Sequence, residues 1–243
     1  MKLKITVAEN EAEFDRIAAE RIIQEMQNNP KAVVGLSTGQ TTKNIHAIVG
    51  ELYQLHPFDI SNITLFGLDE LTNVPREYDG ACYTMIKNQI ADIIGLKKEN
   101  FIMPPTISDD FERECRIFQK TLEDRGGIDF QILGLGTNGH LGFNQPGTPF
   151  EQETWVSKMD EVLEARVRKE TGITDKELRG LTLGIKNIMH ARKILLAAKG
   201  DSKAEIVKRM LYGPISVDVP ASILQLHPYC EFLLDAASAK HIH

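Results

Sequence analysis

Three short stretches hold side chains able to move protons or to hold an anion. Asp69-Glu70 follows the apolar run ITLFGL (63–68), and His140 stands in ILGLGTNGHLGFNQPG (132–147) among Asn138, Asn144 and Gln145. STGQTT (37–42) strings hydroxyls around Gly39 directly after AVVGL (32–36). A carboxylate beside a substrate carbon can act as a base, and an imidazole titrates nearest neutrality, so it can both take and give a proton. Hydroxyls at a strand-to-helix turn, where backbone N–H groups lack partners and the potential is positive, suit an anion and a phosphate ester above all. Lys203, in the first turn of DSKAEIVKRML, is a cation at the end of a helix that disfavours cations, which hints at a bound anion.

Each stretch has a plainer reading. Gly134, Gly136 and Gly139 match G-x-G-x-x-G, but a dinucleotide turn needs a long helix after its third glycine. Here HLGFNQPG follows, and Gly142, Pro146 and Gly147 oppose a helix. The glycines instead allow a tight bend that brings His140 to a rim. A lone loop histidine more often just bonds backbone, and amides such as Asn138 and Gln145 also stabilise turns. STGQTT lacks the G-K-[ST] of a nucleotide-binding P-loop, and Thr41 or Thr42 could serve only as a helix cap. In Asp69-Glu70, adjacent extended residues point opposite ways, so one carboxylate is expected to face a substrate. Lys203 could equally be a solvated surface lysine.

The elements that must position these residues follow from periodicity. KLKITVAE, AVVGL, ITLFGL, FQILGL (130–135), LTLGI (181–185), KILLAA (193–198) and CEFLLD read as strands. Helical spacing is expected over 10–28, KNIHAIVGELYQL, 81–94, 109–125, DSKAEIVKRML (capped by Asp201 or Ser202) and PASILQL. Short apolar strands alternating with helices predict an α/β fold, a mainly parallel sheet covered on both faces. Ligands of such sheets bind beyond the carboxyl ends of the strands, which is where all three loops start. Residues 148–180 are charged and irregular. Trp155, Arg166, Arg168 and Lys169 there could belong to a lid at about 150–180 that excludes water, or to a solvated helix face. Without repeats or a linker, 1–243 reads as one domain.

Composition narrows the functions. A net charge of −6 with no basic run argues against a nucleic-acid surface. Cys82, Cys115 and Cys230 are few, odd in number and widely spaced, so neither a disulfide framework nor a zinc site is expected, and a cytoplasmic setting is the simplest. The first apolar stretch is too short for a signal sequence or membrane span.

GLSTGQTT, the LDE after ITLFG, GLGTNGHLGFNQPG, LTLGI, KGDSKAE and PASILQLHP occur in this order. Together they resemble the glucosamine-6-phosphate deaminase/isomerase family from about residue 30 to about residue 235. GGIDFQILGLG and LTLGIKNIMHAR look closer to a galactosamine-6-phosphate isomerase/deaminase branch. The resemblance implies a single Rossmann-like three-layer α/β/α domain that needs no metal or organic cofactor. It implies a phosphorylated amino sugar as substrate, opened, isomerised and deaminated to a ketohexose 6-phosphate. His140 matches the ring-opening histidine, Asp69 matches the base that carries a proton between C2 and C1, and Asn138 and Gln145 stand where residues supporting the histidine belong. The binding set it implies is Ser37, Thr38, Gly39, Gln40, Thr41, Lys203, Glu70, Gly139 and a lid arginine, Arg168 or Arg166. Whether the protein is a monomer or a homo-oligomer stays open.

Two departures stand out. The family has acidic residues two before and five after the histidine. Asn138 occurs in short bacterial members, whereas Gln145 replaces the common Glu. A carboxylate would raise the histidine's proton affinity, and an amide can only orient it, so Gln145 is expected to lower the pKa of His140 or to suit another sugar epimer. Two other functions compete: a sugar-phosphate sensor without turnover, prompted by Gln145, and a lactone hydrolase resembling 6-phosphogluconolactonase, disfavoured by LDE and FNQPG. Regulated members carry basic residues just past the histidine loop, where this chain reads FEQETWVSK with Trp155 and Ser157. We therefore predict that an N-acetylated hexosamine 6-phosphate leaves turnover unchanged, and a rise in rate on its addition would contradict this.

Overall fold

The computed structural model describes residues 3–242. In chain order the strands are β1 (Lys4–Ala8), β2 (Val33–Leu36), β3 (Thr64–Gly67), β4 (Asp69–Leu71), β5 (Phe101–Ile102), β6 (Phe130–Gly134), β7 (Trp155–Lys158), β8 (Arg179–Thr182), β9 (Lys193–Ala198) and β10 (Cys230–Asp235). The helices are α1 (Glu11–Asn28), α2 (Lys43–Leu55), α3 (Cys82–Ile86), α4 (Phe111–Asp124), α5 (Glu161–Thr171), α6 (Ile185–Met189) and α7 (Ala204–Tyr212). Seven strands form one sheet in the order β1-β10-β9-β6-β2-β3-β5, and every pairing in it is parallel. The predicted parallel α/β sheet is present.

Strand pleating divides the core. Val34, Leu36, Leu65, Ile132, Leu195 and Leu233 face Phe14, Ile22 and Met26 of α1 and Ile45 and Val49 of α2. The alternate residues Val33, Phe66, Leu133, Leu196 and Phe232 face Phe118 and Leu122 of α4, Ile188 of α6 and Val207 and Met210 of α7. Both faces are covered, which is why these strands read as continuous apolar runs. Between interior strands the ladder of β6 with β2 is the shortest, Val34 with Phe130 and Gly35 with Gln131, matched only by that of the edge strand β5 with β3. The Asp129 carboxylate extends the ladder of β6 with β2 by accepting from Val33 N at 2.8 Å.

Three expectations are corrected. Residues 148–180 are not irregular. They form β7 and α5 and lead into β8, and β4, β8 and β7 make a second, antiparallel sheet. The strand expected at 181–185 is Arg179–Thr182 and belongs to that smaller sheet, while Ile185 begins α6. Short-range apolar spacing does not show which sheet a strand joins. Asp201 and Ser202 do not cap α7: they lie in a 3₁₀ turn, Asp201–Lys203, and the cap position is Lys203, with no side-chain bond.

Polar residues are also built into this core. His46 on α2 is fully buried, its Nδ1 3.1 Å from Gln89 Oε1 on the π-helical turn Lys87–Ala91 that continues α3. Burial pushes its pKa down from 6.5 to about 4, against the hydrogen bond to Gln89. The folded protein therefore holds a neutral ring, and an unfolded chain takes up a proton as pH falls below about 6.5. Stability from this group is complete above that pH and is lost between about 6.5 and 4. Asp69 and Glu70, raised by burial, act in the opposite sense, so the contribution is read as a difference between proteins. We predict that the stability of wild type minus that of His46→Gln, from urea unfolding, falls by about 3 kcal/mol from pH 7 to about pH 4. A difference independent of pH would refute it.

Candidate active site

β2 and β6 are neighbours at the point where the strand order reverses, so the loops leaving their carboxyl ends flank one crevice. β3, on the other side of β2, delivers the chain into β4 and hence Asp69. Residues far apart in sequence thus share one rim.

The glycines of the β6 loop have separate tasks. A Cβ on Gly136 would lie 2.3 Å from His140 Nδ1, so the imidazole rests over bare backbone. Gly139 takes φ +89° and packs against Val219. No helix follows, which removes the dinucleotide reading. Asn138 Oδ1 accepts from His140 N at 3.1 Å and lies 2.7 Å from His140 Nδ1, while Asn138 Nδ2 donates to Gln145 Oε1 at 3.0 Å. An amide oxygen only accepts, so Nδ1 carries the hydrogen and Nε2 of the neutral ring keeps its lone pair. Burial, and after it the charge of Lys203, holds the pKa of His140 below its usual value, with Asp160 pulling the other way. Lys203 is itself half-buried and lowered by desolvation.

Asp69 sits opposite Thr182 on β8 and is 8% exposed. Burial raises its carboxyl to about 7, opposed by the Cys82 thiol. Its Oδ1 lies 3.6 Å from Cys82 Sγ. Its Oδ2 faces the histidine loop, since a Cβ on Gly142 would lie 3.1 Å from it. Glu70, which the resemblance places in the binding set, has its carboxylate engaged inside the protein. Glu70 is fully buried, and it accepts from Leu71 N and Cys82 N at 2.8 Å and from Tyr83 N at 2.7 Å. It fastens the start of α3 to β4, and the alternation of adjacent residues leaves Asp69 alone toward the rim.

The β2 loop leads into α2, whose amino end has no side-chain cap. Thr42 does not cap it: Thr42 Oγ1 donates to Ser37 O at 2.9 Å. Ser37 Oγ is buried without a hydrogen-bond partner, and Thr38 Oγ1 lies 3.1 Å from Cys82 Sγ. Gly39 adopts φ +135°, and Gly39 and Gln40 are exposed while Thr41 is partly so. An exposed turn with free amides and an unpartnered hydroxyl can receive an anion.

Residues outside the expected catalytic and binding set hold these loops together. Asn144 is fully buried; its Nδ2 donates to Leu141 O at 2.9 Å and Leu183 O at 2.8 Å, and its Oδ1 accepts from Trp155 Nε1 at 3.0 Å. Phe143 lies over Gly180, where a Cβ would come within 2.1 Å of the ring. Asp160 caps α5 by accepting from Val162 N and Leu163 N. Of the two lid arginines expected near a phosphate, Arg168 pairs with Glu164 at 2.7 Å and donates to Ile173 O and Lys176 O, so its guanidinium is occupied inside the α5 segment. Arg166 is exposed, near Tyr78, whose hydroxyl bonds Glu170 on the same helix. Cys82 carried no motif, and only contact with Asp69 and Thr38 reveals it. A separate cavity of about 380 Å³ lies at the amino ends of β9 and β10, lined by Arg21, Glu25, Lys193 and Glu231, away from these loops. Among the described residues no cluster of His, Cys, Asp or Glu is arranged to hold a metal, and no helix is long and apolar enough to cross a membrane.

A three-layer α/β/α protein with a buried carboxylate, an amide-oriented imidazole and an uncapped strand-to-helix turn at the switch point of its sheet defines the class. The chain belongs to the family described as glucosamine-6-phosphate isomerases/6-phosphogluconolactonase, which matches residues 8–230. It is 33% identical over 239 residues to a glucosamine-6-phosphate deaminase of Clostridium perfringens (98% of this chain, 99% of that protein). It is 34% identical over 241 residues to that of Thermoanaerobacter pseudethanolicus (99% and 95%). A solved structure of a monomeric glucosamine-6-phosphate deaminase superposes with a TM-score of 0.92 at 33% identity, covering 98% of this chain and 100% of that one. The 6-phosphogluconolactonase of Trypanosoma brucei shares the fold at 19% identity and a TM-score of 0.79, covering 100% and 99%.

The Asn138 bridge between Gln145 and His140 makes the effect of a charge testable. Gln145→Glu adds a negative charge near the imidazole, and an NMR titration of the His140 ring should show its pKa rise by about one unit or less. An unchanged or lower value would dismiss the electrostatic role given to Gln145.

Proposed function

We propose that the chain isomerises and deaminates a hexosamine 6-phosphate, releasing a ketohexose 6-phosphate and ammonia. The observation that carries this is the meeting of Asp69 Oδ2 with the backbone of the His140 loop, beside an anion turn containing an unpartnered buried hydroxyl. The phosphate would lie against the Ser37–Thr41 amides and hydroxyls with Lys203, whose half-buried ammonium is near enough to His140 to depress it. Full-length relatives named glucosamine-6-phosphate deaminases support the substrate class. The three free, buried cysteines fit a cytoplasmic setting.

In this reading the His140 Nε2 lone pair takes the proton of the O1 hydroxyl and returns one to the ring oxygen, opening the sugar. Asn138 fixes the tautomer that makes this possible. Asp69 removes the proton from C2 and delivers it to C1, while the C2 ammonium gives up one proton and O1 takes one to become the hydroxyl, which leaves the unsaturation at C2 as an iminium. Water adds at C2 and the nitrogen leaves as ammonia, so one water is consumed per ammonia released. A dry carboxylate held near neutrality is a stronger base than a solvated one. The segment from β7 through α5 to β8 serves as a lid against water, with Arg166 the exposed cation available to a phosphate.

The test is ammonia release from glucosamine 6-phosphate and galactosamine 6-phosphate side by side. Binding of both without ammonia would sink the enzymatic reading in favour of a sensor. Asp69 must be ionised to act, so kcat/KM should fall about tenfold per pH unit below about 7. His140, held low, stays neutral at the top of that window. Asp69→Asn should lower kcat by at least about a hundredfold. Activity unchanged down to about pH 5 would remove Asp69 from the role.

A further inference from the structure

Cys82 opens α3, and its surroundings are fixed from three sides. Its backbone N–H is held by Glu70 Oε1 at 2.8 Å, its Sγ lies 3.6 Å from Asp69 Oδ1, and the same sulfur lies 3.1 Å from Thr38 Oγ1. The side chain is 4% exposed, so no bulk water competes for these contacts. An ionised carboxylate can only accept, so the thiol hydrogen is donated to Asp69, and the sulfur in turn accepts the hydroxyl hydrogen of Thr38. The charged or titratable groups around Asp69 are Glu70 on its own strand, Cys82 on α3 and His140 on the loop packed against it, with neutral Thr182 opposite on β8.

We propose that Cys82 is a positioning residue for Asp69: its thiol engages Oδ1, leaves Oδ2 turned to the loop that carries His140, and joins the base to the anion turn through Thr38. The role rests on the reading of Asp69 as the base of a hexosamine-6-phosphate isomerase/deaminase. Among the described residues no other side chain hydrogen-bonds the Asp69 carboxylate, so without this bond it can rotate about its last torsion. Sulfur suits the task because S–H is a weak donor. It orients the carboxylate while only weakly opposing the burial that keeps Asp69 basic. A hydroxyl in its place would bond more strongly and make Asp69 a weaker base.

Cys82→Ala and Cys82→Ser are compared with wild type in ammonia release against pH, with folding checked by circular dichroism. Cys82→Ala should lower kcat about tenfold with KM changed less than about twofold, and move the acid limb to higher pH, because a donor to the ionised form is lost. Cys82→Ser should recover most of kcat and place the limb at or below that of wild type. A folded Cys82→Ala with the kcat and pH profile of wild type overturns the proposal, as does a serine variant no better than alanine. A second measurement needs no turnover. In the infrared difference between wild type and Asp69→Asn, an S–H stretch should shift, reporting the thiol that senses this carboxylate. No shift overturns the proposal even if Cys82→Ala fails to fold. Should wild type release no ammonia, the functional reading falls, while the infrared result still decides the Cys82–Asp69 contact.

Discussion

Asp69 needs a place that is dry yet open on one side, and much of the structure serves that requirement. β4 is three residues long and leaves the main sheet directly after β3 to pair with β8. That change of sheet buries the carboxylate beneath the histidine loop instead of exposing it at the end of a parallel strand. Burial raises its proton affinity, and the contacts that oppose the rise are few and weak. Glu70, one residue on, is treated in the opposite way: three amides fasten it inside. Two adjacent carboxylates thus divide into one turned toward the rim and one anchored inside through strand geometry alone.

The smaller sheet does more than cover the crevice. Asn144 reaches from the histidine loop to Leu183 and Trp155, and Phe143 fills the space above Gly180, so the loop and the β7–β8 pair hold each other in place. Each neutral hydrogen bond of this kind contributes about 1 kcal/mol net, but breaking one leaves a buried amide unpaired, which costs more. These contacts fix the loop, and Asn138 fixes the imidazole upon it. On the other flank, Lys203 and the uncapped start of α2 supply the positive field.

How much of this the sequence reveals follows from range. The parallel sheet and the three loops at the ends of its strands are legible because apolar runs and turn residues are local signals. The second sheet is not, because β4 and β7 are short and their partner, β8, lies far along the chain. Arg168 illustrates the same limit: a basic residue in a lid suggests a phosphate, and only coordinates reveal that Glu164 and two carbonyls already hold it. The contacts of Cys82 with Asp69 and Thr38 are invisible in the sequence because a single cysteine carries no spacing pattern. Gln145 was legible as a departure, yet its route to His140 through Asn138 was not.

The brief ladder between β6 and β2 lies directly below the crevice. A parallel sheet distributes cohesion through its rungs, and here its two halves are stitched by a couple of them plus the backbone and carboxylate of Asp129, both bonded to Val33. The longer pairings of β9 with β6 and β10 carry five rungs each. The crevice thus stands over the most sparingly laced interior seam of the sheet, a weakness inherited from the architecture and independent of any loop.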